Sequence, residues 1–98
     1  MFYRVSNGGS AEVATQTFSF STPSGSDRSR TTVDCTKTGY TILGASFSSG
    51  VGIWTSNSSN MGWVSIESWS GNTANILCSC NGGTCRASGA LVVYYLPE

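Results

Sequence analysis

Residues 61–69 read Met-Gly-Trp-Val-Ser-Ile-Glu-Ser-Trp, and this stretch decides the fold class. Apolar and polar side chains alternate in it with a period of two, the pattern of a β-strand with one buried face. One face carries Met61, Trp63, Ser65, Glu67 and Trp69, and the other carries Gly62, Val64, Ile66 and Ser68. If Val64 and Ile66 face the core, both tryptophans lie outside. The opposite register buries them and leaves Glu67 in the core, which is costly unless the carboxylate is paired.

Similar short segments occur along the rest of the chain. We predict further strands at residues 13–20, 30–35, 39–47, 51–55, 73–80 and 90–96, with loops at 21–29 and 56–60. Ser, Thr and Gly make up 41 of the 98 residues, and no window has the apolar spacing of a helix. The sequence therefore predicts an all-β fold, a single small antiparallel β-sandwich or jelly roll of about seven or eight strands with essentially no helix.

The chain is long enough for one domain, which we place at residues 11–98 after a lead-in segment or connector at residues 1–10. Only 19 residues are Leu, Ile, Val or Phe, so the core is expected to be thin. Thin cores in small domains are usually supported by cross-links or partner chains. We therefore expect a homotrimer or a larger assembly, because association buries apolar surface that a small monomer cannot cover.

The charge balance narrows the classes of partner. Five Lys or Arg residues face five Asp or Glu residues, for a formal net charge of zero, which argues against nucleic-acid binding. The cluster Asp27-Arg28-Ser29-Arg30 mixes both signs and is interpreted as a solvated loop. No apolar run approaches the ~20 residues of a spanning helix, so no membrane insertion is expected. The N-terminus lacks the basic and apolar regions of a signal peptide.

Four cysteines, Cys35, Cys78, Cys80 and Cys85, are the strongest local signal. Residues 81–84, Asn-Gly-Gly-Thr, are typical of a four-residue turn, which would place Cys80 opposite Cys85 across a hairpin. Cys78 shares a strand face with Cys80, which leaves Cys35 as its partner. We therefore predict Cys80–Cys85 and Cys35–Cys78 disulfides, which require an oxidising compartment. The alternatives are four reduced core thiols or a zinc site of four thiolates. The zinc alternative lacks the usual Cys-x2-Cys spacing of a zinc knuckle.

Catalytic chemistry is not indicated. The chain has no histidine, which removes the commonest general base and every Ser-His or Cys-His pair. The carboxylates occupy no recognisable two-carboxylate motif. We expect no enzymatic activity, no cofactor and no metal.

Binding chemistry is better supported. Aromatic faces stack on the apolar faces of sugar rings, while side-chain amides bond to sugar hydroxyls. The predicted ligand-binding residues all lie within sixteen positions, and they are Trp54, Asn57, Asn60, Trp63 and Trp69. The alternative is that Trp54 and one of Trp63 or Trp69 simply fill the core.

Two family resemblances follow from particular stretches. Residues 3–9, Tyr-Arg-Val-Ser-Asn-Gly-Gly, through Phe18-Ser19-Phe20 resemble the short β-rich tail, fibre and receptor-binding proteins of bacteriophages, as does the Ser/Thr/Gly-rich texture of the whole chain. This resemblance implies a homotrimeric or virion-attached β domain that contacts host surface glycans. It also implies a virion or extracellular location.

The second resemblance is local and spans residues 33–95. Val33-Asp34-Cys35, the segment 39–44 and Cys78-Ser79-Cys80 are similar to the cysteine-rich β-sandwich of resistin-like modules. That family carries many more cysteines, and this chain has Ala45, Phe47 and Val51 where they would fall. The likeness therefore implies a small jelly roll without that family's disulfide framework.

These observations predict a non-enzymatic attachment module of a phage tail or similar virion assembly that binds host surface glycans. A purely structural virion decoration or tail-tip protein is one alternative. A secreted, disulfide-stabilised interaction protein is the other.

Overall fold

The computed structural model describes residues 2–4 and 10–98 of the chain. Its strands are β1 (Phe2–Arg4), β2 (Ser10–Glu12), β3 (Ala14–Ser21), β4 (Gly25–Asp34), β5 (Tyr40–Phe47), β6 (Gly52–Thr55), β7 (Gly62–Ser70) and β8 (Thr73–Pro97). β1 and β2 form a separate antiparallel pair, and the other six strands form one antiparallel sheet. The described residues contain no helix, so the prediction of an all-β fold is confirmed.

One strand organises the main sheet. β8 is 25 residues long, and all five other strands of the sheet pair with it. β3 and β4 follow each other along one edge of β8, while β5, β6 and β7 follow each other along the opposite edge. The sheet is therefore three strands wide, with β8 in the centre.

The core lies on one face of β8. Alternate residues point to it within each half of the strand, from Ala74 to Cys80 and again from Cys85 to Tyr95, and the alternation shifts by one residue between the two halves. The fully buried side chains from β8 include Ile76, Cys78, Cys85, Leu91, Val93 and Tyr95, and they are joined by Cys35, which directly follows β4. Phe18, Val64, Ile66 and other half-buried side chains of the outer strands pack against this cluster.

The two ends of β8 lie close together. The buried Tyr95 hydroxyl, near the end of the strand, donates a 2.7 Å hydrogen bond to the Cys35 carbonyl. Cys35 N in turn bonds to the Asn72 carbonyl, immediately before β8 begins. The sheet therefore curls along its length, which encloses the inner face.

The predicted loop at residues 21–29 is wrong for most of its length. β4 already begins at Gly25, and only residues 22–24 connect it to β3. Gly25 pairs with Cys85 and Ser26 with Thr84, so long-range pairing overrides the turn-rich local composition.

The predicted turn at residues 81–84 is also wrong. The segments 73–80 and 90–96, expected as two strands, belong to the single strand β8. The backbone groups between them bond to the β6–β7 connection: Asn81 N to the Met61 carbonyl, and Thr84 N to Ser56 Oγ. These partners keep the segment in the sheet, where a hairpin would have satisfied its own backbone groups.

The tryptophans of β7 do not share a face. Ile66 pairs with Ile76 and Ser68 with Asn75, so Glu67 is an extra residue in a β-bulge. Trp63 pairs with Ser79, whereas Trp69 pairs with Ala74, whose side chain is buried in the core. Directly paired residues lie on the same face, so the bulge moves Trp69 to the core side of the sheet.

Residues 1 and 5–9 of the predicted lead-in segment lie outside the described residues. In the part of the chain that the structure does describe, no helix has the length and apolar character needed to cross a membrane.

The Tyr95 hydrogen bond can be tested with a matched pair of variants. Tyr95→Phe should lower the free energy of unfolding by about 1–3 kcal/mol, because the buried Cys35 carbonyl loses its partner. Tyr94→Phe is the control, because its hydroxyl meets Ser46 Oγ at an exposed position, and it should change stability by about 0.5 kcal/mol or less. Denaturant melts measure both values. Equal losses in the two variants would contradict the assigned role.

Candidate functional site

The three tryptophans lie in three separate surface grooves. Trp54 lies beside Arg86, Trp63 beside Asp27 and Arg28, and Trp69 beside Leu43 and Asn72. Their side chains are 44%, 50% and 39% exposed, respectively. The structure therefore does not bring the predicted ligand-binding tryptophans into one surface.

The two predicted asparagines instead hold the β6–β7 connection in place. Asn57 Oδ1 accepts hydrogen bonds from Ser59 N at 3.0 Å and from Ser59 Oγ at 2.8 Å. Asn60 Nδ2 donates to the Gly82 carbonyl at 2.7 Å. Both amides satisfy local polar groups of the fold, as is usual for Asn in turns.

The groove lined by Trp63, here called the Trp63 groove, combines aromatic, cationic, anionic and amide side chains. Trp63 of β7 and Arg28 of β4 both pair with Ser79 of β8, so the three residues form a row across the sheet. With ~4.8 Å between neighbouring strands, the backbones of Trp63 and Arg28 lie about 10 Å apart. The groove has a volume of about 730 Å³, and its lining includes Asp27 and Asn81.

Asp27 owes its position to a break in the pairing of β4. The register moves from Ser26 opposite Thr84 to Arg28 opposite Ser79, so the unpaired Asp27 alone lies opposite four residues of β8, 80–83. Its φ of 64° makes it the one non-glycine residue with positive φ in the described parts of the chain. Asp tolerates this left-handed conformation better than most residues, and such strain tends to occur at functional sites.

Two further contacts hold this bulge. A Cβ atom on Gly25 would collide with the Arg28 carbonyl oxygen, so the close approach of the chain to itself requires glycine. The Asp27 carbonyl accepts weak hydrogen bonds from Cys85 Sγ at 3.6 Å and from Cys80 Sγ at 3.7 Å. The core thereby fixes the backbone that presents the Asp27 and Arg28 side chains to the groove.

An ion pair lies beside the groove. Arg30 of β4 reaches across β8 to Glu67, the bulged residue of β7, with Nε to Oε2 at 2.8 Å and Nη2 to Oε1 at 3.3 Å. The hydrogen bond from Arg30 is the main cause that lowers the pKa of Glu67, and the charges of Arg30 and Arg28 act in the same direction. The pair is exposed and contributes little to stability, and Arg28 is the arginine that lines the Trp63 groove.

This arrangement is suited to binding polyhydroxylated ligands. Trp63 offers an aromatic face, Asp27 a carboxylate acceptor and Arg28 a planar set of donors. Asn81 Oδ1 accepts from Met61 N, which orients its amide group at the groove. Stacking on an aromatic face combined with a few convergent polar groups is the usual composition of a small-molecule site.

Sequence reasoning found Trp63 but missed its partners. It interpreted Asp27 and Arg28 as a solvated loop and Asn81 as part of a turn. Gly25, two residues before Asp27, was the only local sign of an unusual backbone there. The pairing of Arg28 and Trp63 with the same residue of β8 has no sequence signal, because it joins three distant segments.

The cysteines fall into two groups, and all four are buried free thiols. Cys78, Cys80 and Cys85 form one cluster, in which both neighbours add to the effect of burial in raising the pKa of Cys85. Cys35 lies beside Asn72, whereas Cys78 pairs with Ser29, about 20 Å further along the strand at ~3.3 Å per residue. The register therefore does not bring the predicted Cys35–Cys78 pair within bonding distance, while Cys80 and Cys85 remain neighbours.

Because Cys35 lies apart, the four thiols do not form one group. Within residues 2–4 and 10–98, no cluster of three or more potential ligands is arranged to hold a metal ion.

Comparison with protein-family models, with curated proteins and with solved structures finds no match for this chain.

The buried thiols lead to a prediction about reactivity and pH. Burial, as the main cause, raises the pKa of Cys85 from 9.0 to about 12, and it raises the pKa values of Cys35 and Cys78 as well. A thiol-specific reagent at pH 8 should therefore react slowly with the folded protein. After unfolding in guanidinium it should modify four thiols per chain. Two or no equivalents would instead reveal disulfides.

The same shift makes stability depend on pH. Because the folded state keeps the Cys85 proton to higher pH than the unfolded state, this contribution is fully present below pH 9.0 and is lost as pH rises toward 12. Denaturant melts across that range should show falling stability. Cys85→Ala removes the group and should make the fall shallower; an unchanged profile would contradict this assignment.

Proposed function

We propose that this chain is a non-enzymatic attachment module that binds saccharides of a host surface through the Trp63 groove. The observation that carries the proposal is that Trp63, half-exposed, lies in one row with Arg28 and next to Asp27 and Asn81. A tryptophan in this position gives up much of the stabilisation that burial would provide. Ligand binding accounts for such exposure, since tryptophan and arginine are the residues that most often dominate binding energy.

We also propose that the module belongs to a phage tail or similar virion assembly, as a homotrimer or a larger complex. The resemblance to phage fibre proteins in Ser/Thr/Gly-rich composition supports this proposal. Apolar side chains that remain on the surface support it as well. These include Leu43, Ile53 and Met61, which are all exposed in the single chain. Association would cover such surface.

For the finer architecture we propose a small two-layer β-sandwich. The support is the contact between Tyr95 and Cys35, which brings the two ends of β8 together. In this arrangement the first part of β8 with β4 and β7 would form one layer. The second part, with β3, β5 and β6, would form the other.

Saccharide binding is tested with Trp63→Ala on a glycan array, followed by titration with the best neutral glycan. We expect at least about a tenfold loss of affinity, equivalent to ~1.4 kcal/mol. The change in unfolding free energy should stay near 1 kcal/mol or below, because the ring is half-exposed. A core tryptophan would cost ~3–5 kcal/mol.

Asp27→Asn supplies a second test that keeps the backbone, since Asn also adopts positive φ readily. It removes only the carboxylate and should weaken binding while leaving the melt unchanged. Trp69→Ala is the matched control, because Trp69 lies in a different groove, and it should retain full affinity. Absence of any glycan binding by the intact protein would favour the purely structural virion protein.

The assembly is tested by native mass with and without reductant. We expect a trimer or larger species whose mass is unaffected by reductant, because the cysteines are buried within one chain. A monomer that unfolds on reduction would instead favour the secreted, disulfide-stabilised interaction protein.

A further inference from the structure

We propose that the groove formed by Trp54 and Arg86 is a second saccharide site that selects sugars bearing a carboxylate or sulfate group. The inference rests on the proposed function in that it takes the chain to bind saccharides. It adds a separate site and a different ligand class.

The two residues are fixed side by side. Trp54 of β6 pairs directly with Arg86 of β8, so both side chains leave the same face of the sheet. The guanidinium carbon lies 4.4 Å from the centre of the Trp54 ring, which is the geometry of a cation–π stack. Both residues line a groove of about 430 Å³.

The stack leaves the hydrogen-bonding edge of Arg86 free. Stacking engages the face of the guanidinium, whereas its five N–H donors point outward in the plane of the group. Among the described residues, Arg86 has no carboxylate within salt-bridge distance and no side-chain hydrogen bond, unlike Arg30, which is bound to Glu67. A planar oxyanion group is the partner that such a fork of donors fits best.

The lining of the groove explains why the oxyanion should be carried on a sugar. Ser21 and Ser88 contribute hydroxyls that can bond to sugar hydroxyls, and Trp54 contributes apolar surface. A free inorganic ion would leave the apolar surface of Trp54 without a contact. Because the Trp54 stack already orders the guanidinium, less conformational entropy is lost on binding.

The charge of the groove distinguishes it from the Trp63 groove. Arg86 is the charged residue of its lining, whereas Asp27 balances Arg28 at Trp63. In the Trp63 groove the Asp27 carboxylate offsets the attraction of Arg28 for an acidic sugar, while at Trp54 such a sugar meets only a cation. The two grooves should therefore separate acidic from neutral sugars.

The test uses the three tryptophan indoles as reporters in ¹H–¹⁵N correlation spectra of the intact protein, since each lies in its own groove. The indole signals are assigned with Trp54→Phe, Trp63→Phe and Trp69→Phe. The ligands are glucuronic acid and glucose, which differ only by a carboxylate in place of a hydroxymethyl group. Glucuronic acid should shift the Trp54 indole signal with at least about tenfold higher affinity than glucose does.

Two arginine variants test whether Arg86 binds the carboxylate. Arg86→Gln keeps a polar side chain and should weaken glucuronic acid binding at Trp54 at least about tenfold. Arg30→Gln is the matched control and should leave this titration unchanged, because Arg30 lines another groove. Equal responses to glucose and glucuronic acid, or equal effects of the two variants, would overturn the proposal. So would a shift by sodium sulfate at the same concentrations as glucuronic acid, which would show a site for the free anion.

Failure of this inference is distinguishable from failure of the proposed function. Trp63→Ala should leave the glucuronic acid titration at Trp54 intact, and Arg86→Gln should leave neutral-glycan binding at Trp63 intact. A response of Trp54 to glucuronic acid without any neutral-glycan response at Trp63 would contradict the proposed Trp63 site and support the Trp54 site. A neutral-glycan response at Trp63 without a glucuronic acid response at Trp54 would contradict the Trp54 site alone.

Discussion

The structure depends on the backbone pairing of β8 along both of its edges. All five other strands of the main sheet bond to this one strand of 25 residues, and none of them is paired instead with another outer strand. Removing β8 would leave five short segments with no sheet partner. The interior of a strand in this position must be free of proline, and Pro97 is placed at its last residue, opposite Tyr40.

Departures from regular pairing with β8 decide which side chains reach the surface. The bulge at Asp27 turns that residue and Arg28 toward Trp63, and the bulge at Glu67 places its carboxylate within reach of Arg30. The same bulge at Glu67 sends Trp69 to the opposite face from Trp63. Bulges commonly redirect side chains next to functional sites, and here two of them separate neighbouring residues into different environments.

The three tryptophans consequently acquire different chemical settings on a chain of zero formal net charge. Trp63 lies beside a carboxylate and a guanidinium, Trp54 is stacked with a guanidinium, and Trp69 lies in a groove lined by uncharged residues. A small β domain can therefore present grooves of different chemistry without a large charge. The pairing of each outer strand with β8 places each charge. This arrangement makes the proposed division between neutral and acidic sugars physically reasonable.

The sequence by itself determined the all-β class and the strand at residues 61–69, because these follow from a two-residue period that is local, but it left open whether Val64 and Ile66 or the tryptophans face the core. It could not determine that residues 73–97 form one strand, that Gly25 lies in β4, or that Trp69 changes face. It likewise missed Asp27, Arg28 and Asn81 as neighbours of Trp63, and Arg86 as the partner of Trp54. Each of these depends on hydrogen bonds between segments far apart in the chain, such as Arg28 with Ser79 and Trp54 with Arg86. Only the tertiary structure decides such pairing, because a shift of one residue in register moves every following side chain to the other face of the sheet.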